Sequence, residues 1–143
     1  MELKSEQSIG SYISSFYRLG VVFLSKEYKE YGIGSGQYQF IFSLYMEDGV
    51  SHDVLTEKLG VDKATTTRAI AKLEEEGYVK RVLDKNDKRK YKIFLTDKAI
   101  EKKEEILEIG ARWENMLIGS LDSEQIKCLK DIFKQISQSQ EKI

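Results

Sequence analysis

VSHDVLTEKLGVDKATTTRAIAKLEEEGYVKRVLDKNDKRKYKIFLT, residues 50–96, is the stretch on which the fold turns. Ser51 stands at an N-cap position ahead of a short helical run carrying Val54, Leu55, Lys58 and Leu59. Gly60 closes that run, because glycine enters the left-handed conformation without a side-chain clash. Asp62 then caps a second helix over about residues 63–76, in which Thr66, Ala69, Ile70 and Leu73 recur at i, i+3, i+4 and i+7. One stripe therefore faces a core. The opposite face carries Lys63, Ala64, Thr65, Thr67, Arg68 and Lys72. Small and hydroxylated side chains among bases let a helix come close to a DNA groove and hydrogen-bond there.

After Gly77 the period changes. Residues 78–83 and 89–95 read as strands joined by the polar tip Asp84-Lys85-Asn86-Asp87-Lys88. Two helices at a tight turn followed by a basic hairpin describe a winged helix-turn-helix. The run Gly77, Arg81, Asp84, Asp87, Arg89, Leu95 and Thr96 resembles the hallmark of the MarR family of transcription regulators. The likeness extends to Gln37, Phe40, Ile41 and Leu44 and to Leu73-Glu74 before Gly77. Two positions depart from the family pattern. Thr56 and Ala99 stand where alanine and glycine are usual, and a threonine in a packed helix needs a partner such as its own i−4 carbonyl.

Net charge alone does not argue for nucleic acid, at 23 basic against 24 acidic residues. Its distribution does. From Gly77 to Leu95 seven bases (Lys80, Arg81, Lys85, Lys88, Arg89, Lys90, Lys92) face two acids, a net +5 in a chain whose total is −1. A basic hairpin on an acidic body is the charge map of a chain with one nucleic-acid face.

The 143 residues fit one domain, 1–143, with a winged lobe at 33–96 between long helices at 5–31 and 97–138. The expected fold class is mainly α with a small β-hairpin wing. Ile9, Ile13, Phe16, Tyr17, Gly20, Phe23 and Leu24 stripe the first helix, and residues 37–47 form a short helix apolar nearly all round. Gly32-Ile33-Gly34-Ser35-Gly36 is an interhelix turn rather than a phosphate loop, since no strand precedes it and no Lys-Ser/Thr follows. One helix is expected from Asp97 to about Ser120, carrying Ile100, Ile106, Ile109, Trp113 and Leu117. Asp122 and Gln125 make a capping box for the last helix, striped by Ile126, Leu129, Ile132, Phe133 and Ile136. One lobe cannot cover both terminal stripes. Family resemblance implies that they interlock two subunits in a two-fold homodimer.

Enzymatic chemistry finds few converging groups. His52 is the single histidine and Cys128 the single cysteine, so no histidine-rich metal site is available and no cofactor is expected. Cys128 reads as a small core residue beside Ile126, Leu129 and Ile132. No run approaches the roughly 18–20 apolar residues of a membrane span. The start, Met1 to Glu6, is too polar for a secretory signal, and one cysteine suits a reducing cytoplasm.

The expected partner is double-stranded DNA with a pseudo-palindromic operator, bound by a homodimeric repressor. The acids Glu74-Glu75-Glu76 place the N-terminal half of the recognition helix in the groove. Thr65, Thr67 and Arg68 are then the base readers, with Lys63, Lys72, Lys85, Lys88 and Lys90 at phosphates. The resemblance implies that Asp87, with Asp84 shaping the turn, steadies Arg89 for the minor groove. It also implies an effector cleft for a small aromatic or anionic ligand where the lobes meet. Candidates there are Tyr12, Phe16, Tyr38, Phe42, Tyr45 and Trp113, with Arg18, His52 or Arg112 for charge. The alternative is a winged-helix module for protein docking without DNA readout. Residues 63–68, Lys-Ala-Thr-Thr-Thr-Arg, lack the apolar anchors such a surface requires.

Overall fold

A computed structural model describes residues 7–140. Its first element, α1 (Ile9–Glu27), starts at Ser8, whose hydroxyl accepts from the Ser11 amide. The expected start of this helix at residues 5 and 6 lies outside the described residues. The helix also ends earlier than the sequence suggests: Tyr28 caps it and a single 3-10 turn (Lys29–Tyr31) follows. The Tyr28 ring is fully buried, and its hydroxyl donates to the carbonyl of Ile106 over 2.8 Å. Burial raises the Tyr28 phenol above its ordinary value, which keeps it a neutral donor.

The short apolar helix α2 (Tyr38–Met46) buries Phe40, Ile41 and Leu44 at the centre of the molecule. Then come β1 (Val50–Ser51), α3 (His52–Leu59) and α4 (Lys63–Glu75). Ser51 caps α3 by accepting from Val54, and Asp62 caps α4 by accepting from Thr65, as the sequence indicates. Gly60 takes φ 63 between them, so the turn is as tight as a helix-turn-helix requires. Thr66, Ala69, Ile70 and Leu73 are all buried, so the 3.6-residue stripe does face the core.

β2 (Val79–Leu83) and β3 (Tyr91–Leu95) form the antiparallel wing, with Val79 opposite Leu95 and Leu83 opposite Tyr91. The sequence predicts two strands; the sheet has three, in the order β1-β3-β2. Val50 pairs with Ile93 and Ser51 with Lys92, which pins the wing's base to the start of α3. Asp48 reinforces the junction, its carboxylate accepting from the amides of Gly49 and Leu95.

The helix expected from 97 to 120 is interrupted. It divides at Lys102 into α5 (Asp97–Glu101) and α6 (Lys103–Ile118). The division falls one turn beyond Ala99, whose carbonyl accepts the Tyr45 hydroxyl over 2.6 Å. A side chain inserted at a helix carbonyl loosens the local ladder. Gly20 lies where α1 crosses α6, and a Cβ there would sit 2.6 Å from the Trp113 ring, so only glycine permits the approach. α7 (Ser123–Gln138) carries the expected Asp122–Gln125 capping box. None of its residues is buried, so Cys128 is exposed at the edge of the apolar stripe and is not a core residue.

Candidate nucleic-acid interface

The outward face of α4 is defined by subtraction. Its buried stripe fixes the helix's rotation, and what remains outward is Lys63, Ala64, Thr67, Arg68, Ala71, Lys72 and, at the acidic end, Glu75, all exposed. Thr65 departs from expectation. It is half-buried and turned toward a cleft between α1, α2 and α6, and its hydroxyl accepts from Arg68 at 3.4 Å. Lys72 is tied to Glu76 at 3.2 Å, on the acidic half of the helix.

Two threonines bind α3 to α4 from inside. Thr56 donates to the His52 carbonyl over 2.9 Å, the i−4 bond expected of it, and its hydroxyl lies 2.8 Å from that of buried Thr66. With the Thr56 proton committed to His52, Thr66 is the donor across the turn. The departure from alanine at position 56 therefore supplies a polar link between the two helices.

Arg81 is occupied structurally. Its guanidinium grips Glu74 through Nε and Nη2, both 3.2 Å, clamping β2 to the end of α4. Arg89 behaves differently. Asp87 accepts its backbone amide at 3.1 Å and its Nε at 3.4 Å, yet the side chain is 91% exposed. Asp84 accepts the Asn86 amide and shapes the tip. Among the described residues no carboxylate lies within ion-pair distance of Lys63, Lys85, Lys88 or Lys90. A cleft of about 180 Å³ joins His52 and Asp53 to Arg81, Arg89, Lys90 and Tyr91, so the start of α3 and the wing share one surface.

The Asp62 carboxylate is held below the usual range by the Thr65 backbone amide. A depressed carboxylate stabilises the fold above its unfolded pKa, near 3.9, and that contribution disappears as pH falls through the lower folded value.

The nine effector-cleft candidates do not assemble. Phe16, Tyr38 and Trp113 line a cleft of about 430 Å³ together with Gly20, Val61 and Thr65. Phe42 is spent packing its ring edge-on to Tyr38 at 5.7 Å, and Tyr45 on its bond to Ala99. Tyr12 stacks beside Phe16, centroids 6.2 Å apart, outside the cleft lining. Arg18 donates to Ser15 within α1, and Arg112 pairs with Glu27 and Glu108 at 3.1 Å each. His52 is outside the cleft lining, against Thr67. Among the described residues no lysine or arginine lines the cleft.

The MarR family profile matches residues 33–91. The crystal structure of a MarR transcriptional regulator from Methanosarcina mazei Go1 is 39% identical, with 91% of this chain and 94% of that one covered and a TM-score of 0.82. The MarR protein from Peptoclostridium difficile DA00132 is 31% identical, covering 96% and 91%, with a TM-score of 0.85. The HTH-type transcriptional regulator BilQ of Clostridioides difficile (strain CD3) is 29% identical over 80% of this chain and 79% of its own.

Proposed function

This chain belongs to the MarR family of DNA-binding transcriptional regulators, and from that premise we propose that it acts as a two-fold homodimeric repressor released by a small aromatic ligand. The observation that carries the DNA-facing part is the outward row of α4, where among the described residues neither Lys63 nor Arg68 is held in an ion pair, together with the exposed Arg89 of the wing. Arg68 and Thr67 read base edges in the major groove. Arg89 reaches the minor groove, and Lys63, Lys85, Lys88 and Lys90 rest at phosphates. The relatives are regulators rather than enzymes, which fits a binding role.

Selection from random duplex DNA tests this reading. Pseudo-palindromes with half-site centres about 10 bp apart are expected. Arg68→Ala should cost roughly 1–3 kcal/mol of binding and relax preference at one position per half-site. Lys85→Ala should weaken all sequences alike and flatten the salt dependence by about one unit. Arg89→Ala should do both, and unchanged affinity and preference in that variant would remove the wing from the interface.

Two subunits are favoured by the apolar side chains that α1 and α7 leave in solvent, among them Ile9, Ile13, Phe16, Phe133 and Ile136. Ligand control rests on the 430 Å³ cleft, because Thr65 brings the recognition helix into its wall. With no lysine or arginine among the described residues of that wall, a neutral flat aromatic should bind better than its carboxylate. Linkage requires operator DNA to weaken ligand binding by the factor by which ligand weakens DNA binding. Calorimetric titration of a phenol and of the matching phenolic acid, with and without operator, checks both statements. Equal ligand affinity in the two titrations would mean that the ligand is no effector.

A further inference from the structure

The Thr67 hydroxyl has one proton and two lone pairs. It lies 2.8 Å from the Lys63 carbonyl oxygen, which can only accept, so the proton points back along the helix. His52 Nε2 lies 3.1 Å from the same oxygen. With the hydroxyl proton on that carbonyl, the contact is a hydrogen bond in the Nε2–H tautomer of the imidazole, which donates and occupies one lone pair of Thr67. What remains for a partner in front of the helix is a single lone pair.

We propose that His52 is a positioning residue for base recognition: its bond to Thr67 holds that exposed threonine in the rotamer whose proton is spent on Lys63, so that it meets a base as an acceptor only. This rests on the assignment of Thr67 to the major groove. Adenine and cytosine present amino donors there, whereas guanine presents only the acceptors N7 and O6. An acceptor-only threonine therefore selects adenine or cytosine and disfavours guanine at the base it meets. The two bonds also lock the side-chain rotamer, because Lys63 lies on the same helix while His52 opens the neighbouring one. The preceding helix thus edits the reading helix without touching DNA.

Without His52 the Lys63 bond alone holds the Thr67 rotamer, so the side chain can turn off that carbonyl and present its proton to guanine. The experiment is a competition between operators differing only at the base facing Thr67, using the full chain and its His52→Ala, His52→Gln and Thr67→Val variants. The wild type should disfavour guanine by roughly fivefold, the discrimination of about one hydrogen bond. His52→Ala should bring that ratio close to one and leave the other positions unchanged. His52→Gln, whose amide N–H can donate in place of Nε2–H, should restore it. Thr67→Val, nearly the same shape without the hydroxyl, should abolish the ratio and make a further His52→Ala change silent. A uniform loss of affinity in His52→Ala with the guanine ratio intact would overturn the proposal and leave His52 as a phosphate contact. A wild-type chain that selects no sequence at all would overturn the DNA reading itself, and this proposal with it.

Discussion

Phe133→Asp is expected to convert the protein to a folded monomer and to lower operator affinity by about a hundredfold or more. Phe133 is 51% exposed in the single chain and shares the outer face of α7 with Ile132 and Ile136. A 16-residue helix with no buried position is marginal on propensity alone, since isolated helices of this length barely hold in water. Its apolar stripe needs a cover, and α1 offers Ile9, Ile13 and Tyr17 in the same exposed condition. A second copy would satisfy both surfaces at once and would set two recognition helices in one body. A carboxylate placed within that contact would have to be desolvated without a partner, which costs several kcal/mol. Separated subunits would bind half-sites one at a time and forfeit an effective concentration worth roughly 10²–10⁴ in affinity. Sedimentation and circular dichroism check the result together. A persistent dimer at micromolar concentration would place the subunit contact elsewhere.

Much of the winged lobe was legible because its signals are local. Caps at Ser51, Asp62 and Asp122 depend on one side chain meeting an amide three residues on, so sequence spacing identifies them. The buried stripe of α4 is likewise a matter of period. What sequence could not supply was any feature decided by a distant partner. The break at Lys102 follows a bond from Tyr45 to Ala99, 54 positions apart. β1 is two residues long and exists only because Ile93 and Lys92 lie beside it.

The site divides in the same way. The exposed bases of helix and wing could be read from composition and spacing. The effector set could not, because helical period tells which residues share a face but not which helix that face meets. Arg112 shows this plainly: Glu27, 85 residues away, neutralises it and raises its own already high pKa, an association no local pattern announces. Cys128 is the converse case. Its apolar neighbours suggested a core, but a stripe has an inside only when something covers it.

Leu73→Ala should destabilise the protein by about 2–5 kcal/mol and leave its base preference intact. Leu73 is 1% exposed and belongs to the stripe that fixes the rotation of α4. Truncation removes three side-chain carbons from a site whose neighbours, Ile70 and Tyr78 among them, are themselves fully packed, so collapse around the void is limited. Against a typical total of 5–15 kcal/mol this is a large fraction. The adjacent Lys72→Ala supplies the control. Its ion pair with Glu76 is held by side chains 44% and 31% exposed, and such surface pairs contribute little. One residue apart, the two changes should therefore separate stability from surface charge. Urea titrations at fixed protein concentration measure the first quantity, since unfolding coupled to dissociation depends on concentration. Operator selection on the folded fraction measures the second. If Leu73→Ala cost less than about 1 kcal/mol, the stripe would not be what anchors the recognition helix. If it altered base preference instead, the anchoring face and the reading face would not be the independent surfaces that the rotation of α4 implies.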